Sequence, residues 1–285
     1  MQGHGTVVRR WAGIVSALVT GLLLAAGGAS AAAAPPPSTY VSLGDSLAFG
    51  YQPDLVAASD FNPADYVGYA EDFAAMHPGM TLANFGCPGE TTDTLINGGC
   101  SWTASGLPLH VAHPGSQLAA ATAYLSAHPE TSLISVDIGS NDLLALIDGC
   151  HAAVSCIGAG LPATIGHITS NYAVILGTLH AAAPNAKLVV FNLYNPLALA
   201  LPGSDPLLAE VNGAIGQMAS SVGASVGASV AVADAFSVMN GKAGSPSEHA
   251  FVCTRTWECT SYANIHPTAL GYKQMAIALL HAAGH

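Results

Sequence analysis

From Tyr40 to the C-terminus, short apolar runs alternate with longer helix-like stretches, and no other feature of the chain restricts its fold as much. Residues 40–43, 81–85, 133–138, 187–192 and 229–236 read as strands, being short, apolar and bounded by turn-forming residues. Residues 63–76, 115–127, 162–182, 206–222 and 267–281 read as helices, four of them opened by proline. A repeated strand, helix, strand order requires right-handed crossovers, which predicts a parallel sheet covered on both faces. Any active site is then expected beyond the carboxyl ends of the strands. No linker or charge run divides residues 35–285, which are read as one domain.

Composition narrows the class. With 51% hydrophobic and 8% charged residues the chain is too apolar for intrinsic disorder, and a net charge of −11 argues against a nucleic-acid partner. Residues 1–34 differ from the rest. Arg9 and Arg10 precede an apolar run from Trp11 to about Ala26, then the small-residue triplet Ala29-Ser30-Ala31, which is the layout of a secretory signal with its cleavage region. The run is shorter than the roughly 20 residues a bilayer span needs, and Pro35-Pro36-Pro37 follows, so no stable membrane anchor is expected. Six cysteines, Cys87 and Cys100, Cys150 and Cys156, Cys253 and Cys259, suit an oxidising, extracellular compartment. Six cysteines allow 15 pairings; their spacing favours three neighbour-to-neighbour loops, and the alternative use is metal binding. No CxxC occurs, and the close pair His110 and His113 has no ligand-like company, so neither a metal nor a cofactor is expected.

Two serines invite a catalytic reading. Gly223-Ala224-Ser225-Val226-Gly227 fits G-x-S-x-G, but that elbow must leave a strand and open a helix, whereas this segment leaves a helix and enters a strand, making Ser225 a loop serine. Ser46, in Leu43-Gly44-Asp45-Ser46-Leu47, stands where the first strand ends. Three further elements occupy comparable places. Gly89 lies in the segment after strand two, Asn141 in Gly139-Ser140-Asn141-Asp142 after strand three, and His266 in Ile265-His266-Pro267 before the last helix. Singly these are turn, cap and core residues. Together they supply acyl transfer with a hydroxyl, a base for its proton, and donors for the oxyanion. Asp45 and Asp142 are read as turn supports rather than reacting groups.

With these four blocks in this order, from Tyr40 to about Gln274, the sequence resembles the SGNH, or GDSL-type, esterases and lipases, especially secreted actinomycete members. The resemblance implies a flavodoxin-like three-layer α/β/α sandwich with a five-stranded parallel sheet. It also implies Ser46 as nucleophile, His266 as proton shuttle, and an oxyanion hole made by the N–H groups of Ser46 and Gly89 and the Asn141 amide. One position departs from the family pattern D-x-x-H, since Ala263 stands where the aspartate would be. The expectation is a Ser46–His266 dyad with the imidazole oriented by the Ala263 carbonyl; Glu258 and Asp234 are the rival carboxylates. Under this reading a Cys87–Cys100 bridge would clamp the loop of Gly89, and Cys253–Cys259 the segment leading to His266.

The chain is thus expected to be a secreted, monomeric serine hydrolase of carboxylic esters, acting on lipid or short-to-medium acyl esters. Residues 107–109, Ile157, Leu161 and the run 196–202 are candidates either for an acyl-chain lining or for core. Two alternatives stand beside it: a carbohydrate acetyl-esterase on the same scaffold, and a non-catalytic exported binding protein.

Overall fold

The computed structural model describes residues 38–284; the segment read as an export signal lies outside the described residues. Five strands, β1 (Ser38–Gly44), β2 (Met80–Asn84), β3 (Thr131–Asp137), β4 (Lys187–Phe191) and β5 (Val230–Ala233), pair in parallel in the order β2-β1-β3-β4-β5. This is the expected flavodoxin-like order, whose direction reverses between β1 and β3 and leaves a crevice at their carboxyl ends. A two-stranded antiparallel piece, β6 (Thr256–Trp257) with β7 (Asn264–Pro267), lies apart from the main sheet.

The helices in chain order are α1 (Ser46–Phe49), α2 (Pro53–Ala57), α3 (Tyr69–Ala75), α4 (Thr92–Asn97), α5 (Ser101–Ala104), α6 (Gln117–Ala127), α7 (Ser140–Gly149), α8 (Val154–Ala182), α9 (Ser204–Val226), α10 (Ala235–Met239), α11 (Pro246–Arg255) and α12 (Ala269–Ala283). Alternation along the strands sorts them into two layers. Val41 and Leu43 of β1, Ile134 and Val136 of β3, and Leu188 and Val190 of β4 pack against α6, α8 and α9. Their neighbours Tyr40, Leu133, Val189 and Phe191 face α3, α10 and α12 on the other side. A fully buried Leu or Phe gains about 1.5–3 kcal/mol, so two such clusters account for the sandwich.

Several boundaries differ from the sequence reading. The helix expected at 63–76 is a 3-10 turn (Pro63–Asp65) followed by α3, because Gly68 interrupts the run and Glu71 Oε2 accepts its N–H at 3.0 Å. Helix α8 begins at Val154, so Pro162 lies inside it rather than at its start; buried Ile157 and Leu161 hold the added turns in place. Helix α9 runs on to Val226 and stops at Gly227 in the left-handed region. Ser225 is therefore helical, not a loop residue, and its hydroxyl donates to the Val222 carbonyl at 2.8 Å. Strand β5 ends at Ala233, where Asp234 caps α10.

At the end of β1 the chain makes the turn on which the site depends. Gly44 has φ +146°, and a Cβ there would lie 2.0 Å from the Asp137 carbonyl oxygen, so only glycine fits. Fully buried Gln117 locks the same residue from both sides, accepting from Gly44 N at 2.7 Å and donating to Gly44 O at 2.9 Å. Asp45 N then donates to Asp137 O at 3.1 Å, fixing β1 against β3 where both end.

Candidate active site

Ser46 opens α1, and its backbone N–H is one of the donors that a first helical turn leaves without an intrahelical partner. Asp45 caps that turn by accepting from Leu47 N at 2.9 Å. The Ser46 hydroxyl lies 2.8 Å from Nε2 of His266, 220 residues away in sequence. His266 comes from β7, and Tyr194, in the loop after β4, donates to the adjoining Ile265 carbonyl at 2.7 Å. The Tyr51 ring stacks 4.3 Å from the imidazole, measured between centroids.

The other ring nitrogen corrects the sequence reading. Nδ1 of His266 meets Oδ1 of Asn264 at 2.6 Å, not the Ala263 carbonyl, and the backbone N–H of His266 donates to the same oxygen at 3.0 Å. Residues two apart on a strand share a face, so the Asn264 side chain stands beside the ring. Ala263 lies before β7 with φ +42°, in the turn that starts the strand. Two converging donors fix the amide with its oxygen toward the histidine. Because an amide oxygen only accepts, Nδ1 carries the proton and Nε2 is free to take one from Ser46. Neither rival carboxylate reaches the ring. Asp234 accepts from Asn192 Nδ2 at 2.8 Å and from Ser237 N at 3.0 Å, and among the described residues no carboxylate pairs with His266. With no anion beside it, burial alone lowers the His266 pKa to about 4.

Gly89 and Asn141 reach the same cavity from neighbouring loops. Gly89 turns the chain after β2 with φ +86°, and the bridge between Cys87 and Cys100 brings the far end of this loop back beneath it. Asn141, in the first turn of α7, donates from Nδ2 to the Glu90 carbonyl at 2.7 Å, which ties the two loops together and leaves a second amide hydrogen. Asp142 reinforces the tie, accepting from Thr92 N at 2.9 Å and Thr92 Oγ1 at 2.6 Å. Cys150–Cys156 joins the end of α7 to the first turn of α8, and Cys253–Cys259 joins α11 to the turn after β6, so the described disulfides are the three neighbour pairs. Ser46, Gly89, Asn141 and His266 all line one cavity of about 470 Å³, whose other walls are mainly apolar. Pro196 and Leu197 belong to those walls, whereas Leu107 and Leu109 pack with Phe49, Tyr66 and Trp102 as core.

At and near the cavity lie carboxyl groups that pair with no cation among the described residues. The sequence holds only six lysines and arginines. Asp45 is fully buried and burial raises its pKa to about 7; Glu90 is raised to about 8, by burial first and then by Asp45, and Asp137 is held well above its usual range by burial. Both Glu90 carboxyl oxygens are buried without a hydrogen-bond partner. A raised carboxyl pKa contributes stability that is complete below the unfolded value, near 4.5, and is lost as pH climbs through the folded value. Glutamine mimics the neutral acid, so Glu90→Gln is expected to remove part of this loss. Between pH 4.5 and 9 its melting temperature should fall less than that of the wild type, and parallel melting curves for the two proteins across that range would refute the assignment.

Sequence reasoning missed Asn264, Gln117, Tyr194 and the buried carboxyls with raised pKa values. Of these, Asn264 alone left a signal, an amide two residues before the candidate base in a short extended stretch.

Comparison with known proteins follows the same lines. The model of the GDSL-like Lipase/Acylhydrolase family matches residues 42–274. No curated protein matches significantly in sequence. Among solved structures, the extracellular lipase of Streptomyces rimosus is similar at 20% identity, with 86% of this chain and 99% of that one covered and a TM-score of 0.55. Phospholipase A1 from Streptomyces albidoflavus gives 18% identity, 86% and 99% coverage and 0.54. An acetylxylan esterase from Geobacillus stearothermophilus gives 12%, 87% and 94%, and 0.53. At these identities the likeness is one of fold.

Proposed function

The chain belongs to the GDSL-like lipase/acylhydrolase family and is a carboxylic ester hydrolase, and from that premise we propose that Ser46 and His266 carry an acyl-enzyme mechanism on lipid or short-to-medium acyl esters. The observation that carries this reading is the 2.8 Å contact between the Ser46 hydroxyl and the free nitrogen of His266, at a mainly apolar cavity. His266 Nε2 takes the hydroxyl proton as Ser46 Oγ attacks the ester carbonyl carbon. The tetrahedral oxyanion is met by the N–H groups of Ser46 and Gly89 and by the unused Asn141 amide hydrogen. His266 then returns the proton to the departing alkoxide. Water repeats the sequence on the acyl-enzyme and releases the acid, regenerating Ser46.

Asn264 replaces Ala263 as the group that orients the imidazole, giving a Ser–His–Asn arrangement of a kind also used by papain-like proteases with a cysteine. The apolar walls favour an acyl chain over a sugar, which ranks the lipid reading above the acetyl-carbohydrate one. Export by a cleaved leader in residues 1–34 is part of the proposal, and three disulfides in a chain of this size support it.

A fluorophosphonate probe tests the nucleophile directly. Folded wild type is expected to be labelled on Ser46 and to lose p-nitrophenyl butyrate hydrolysis in proportion. Failure to label, or labelling that persists in Ser46→Ala, removes the proposal and favours a binding protein on this scaffold.

A further inference from the structure

Helix α7 carries Leu143, Leu144, Leu146 and Ile147 within two turns, yet no residue of the helix is fully buried. Its apolar face packs only partly against the core and also lines open space. Leu144 lines the catalytic cavity, Leu146 lines a second void of about 60 Å³ behind it, and Leu143 and Ile147 line both. The opposite wall repeats the arrangement. Leu197 and Leu208 belong to both spaces, while Leu201 and Leu207 face only the second. The two voids are therefore neighbours that share five lining residues, the aliphatic Leu143 and Ile147 of α7 and Leu197 and Leu208 of the opposite wall, together with the polar Asn195. Ile157 and Leu161 of α8 close the far end.

We propose that the second void is the terminal subsite for a long acyl chain, reached from Ser46 through the partition formed by Leu143, Ile147, Leu197 and Leu208. The proposal rests on the ester-hydrolase reading and adds the part of the substrate that this reading leaves open. Three observations favour this occupant over any other. The space adjoins the catalytic cavity and shares lining residues with it, so a chain attached to the reacting carbonyl can extend into it once the partition turns aside. Its lining is aliphatic apart from Asn195 and Ser204, and these two are hydrogen-bonded to each other at 2.8 Å, leaving an apolar chain as the complementary filler. The side chains of the partition are half-buried aliphatics that can turn about their χ angles to admit it.

Each buried methylene is worth roughly fourfold in affinity, and the void accepts two or three, so blocking it costs about 10- to 60-fold on a chain long enough to reach it. The test compares kcat/KM for p-nitrophenyl laurate and acetate in wild type, Leu207→Trp and Leu201→Phe, which fill the second void from a helix and from a loop. The laurate-to-acetate ratio is expected to fall about 10- to 60-fold in each folded variant. In parallel, lauric acid binding to the Ser46→Ala protein, measured by calorimetry, is expected to weaken by a similar factor when Leu207→Trp or Leu201→Phe is added. Ratios unchanged within twofold, or losses equal at both chain lengths, overturn the subsite. A wild type inert to every ester while lauric acid still binds and responds to these substitutions refutes the hydrolase reading and leaves the subsite standing.

Discussion

Ser46→Ala is expected to lower kcat for p-nitrophenyl butyrate by about 10⁶-fold while the melting temperature stays close to that of the wild type. The substitution removes the attacking oxygen and its proton transfer, but it keeps the backbone N–H at position 46 and leaves the oxyanion donors intact. Residual turnover about 10³–10⁴ above the uncatalysed rate should therefore remain, supplied by those donors and by substrate binding. His266→Ala should cost about as much, and the double substitution little more than either alone, because hydroxyl and imidazole act as one unit. A folded Ser46→Ala enzyme within tenfold of wild type would mean that another residue is the nucleophile.

The second large effect is expected at Asn264. Its amide oxygen holds the proton on Nδ1 and the ring in line with Ser46, and loss of that control exposes the enzyme to the wrong tautomer, a fault that costs up to about 10⁴-fold in a serine protease. We expect Asn264→Ala to lose roughly 10²–10³-fold in kcat with little change in KM. Asn264→Asp should recover most of this loss, and its pH profile separates orientation from mere packing. In wild type the neutral imidazole persists down to about pH 4, since burial alone acts on its charge, so the acid limb of kcat/KM is expected near that value. The groups facing His266 from other elements are Ser46, Tyr51 and Tyr194, with Asp45 below the nucleophile, and none lends the ring a negative charge in the acidic range of that limb, well below the pKa of about 7 to which burial raises Asp45. A carboxylate at position 264 lies against Nδ1 and favours the imidazolium, moving the limb up by about 1–3 pH units. An unshifted limb in an active Asn264→Asp enzyme would show that this side chain does not govern the histidine.

Much of this arrangement was legible in the residues. The alternation of apolar runs gave the sheet and its covering helices because periodicity is a local property that burial enforces. Ser46, Gly89, Asn141 and His266 stood at strand ends or before a helix, where topology brings loops together, and the structure lines one cavity with all four. The disulfide pairs are the neighbour pairs that spacing favours without selecting, since short loops close at little entropic cost. What escaped was set by long-range neighbours. Gln117 is an ordinary first-turn residue of α6 until its side chain brackets Gly44, 73 positions earlier. Glu90 carries no sign in the sequence of an interior place, and its pKa is raised to about 8 by burial because the loop folds its side chain inward. Asn264 is one residue nearer His266 than the position of the family's aspartate, and only the extended conformation of β7 sets its side chain on the face of the imidazole.

The placement of nucleophile and base at opposite ends of the chain has a consequence for biosynthesis. Ser46 leaves the ribosome 220 residues before its partner, so a polypeptide still being made or threaded holds a hydroxyl with no group to remove its proton. Truncated products ending before β7 should be chemically silent, and onset of turnover during refolding should report closure of the last structural element rather than formation of the sheet.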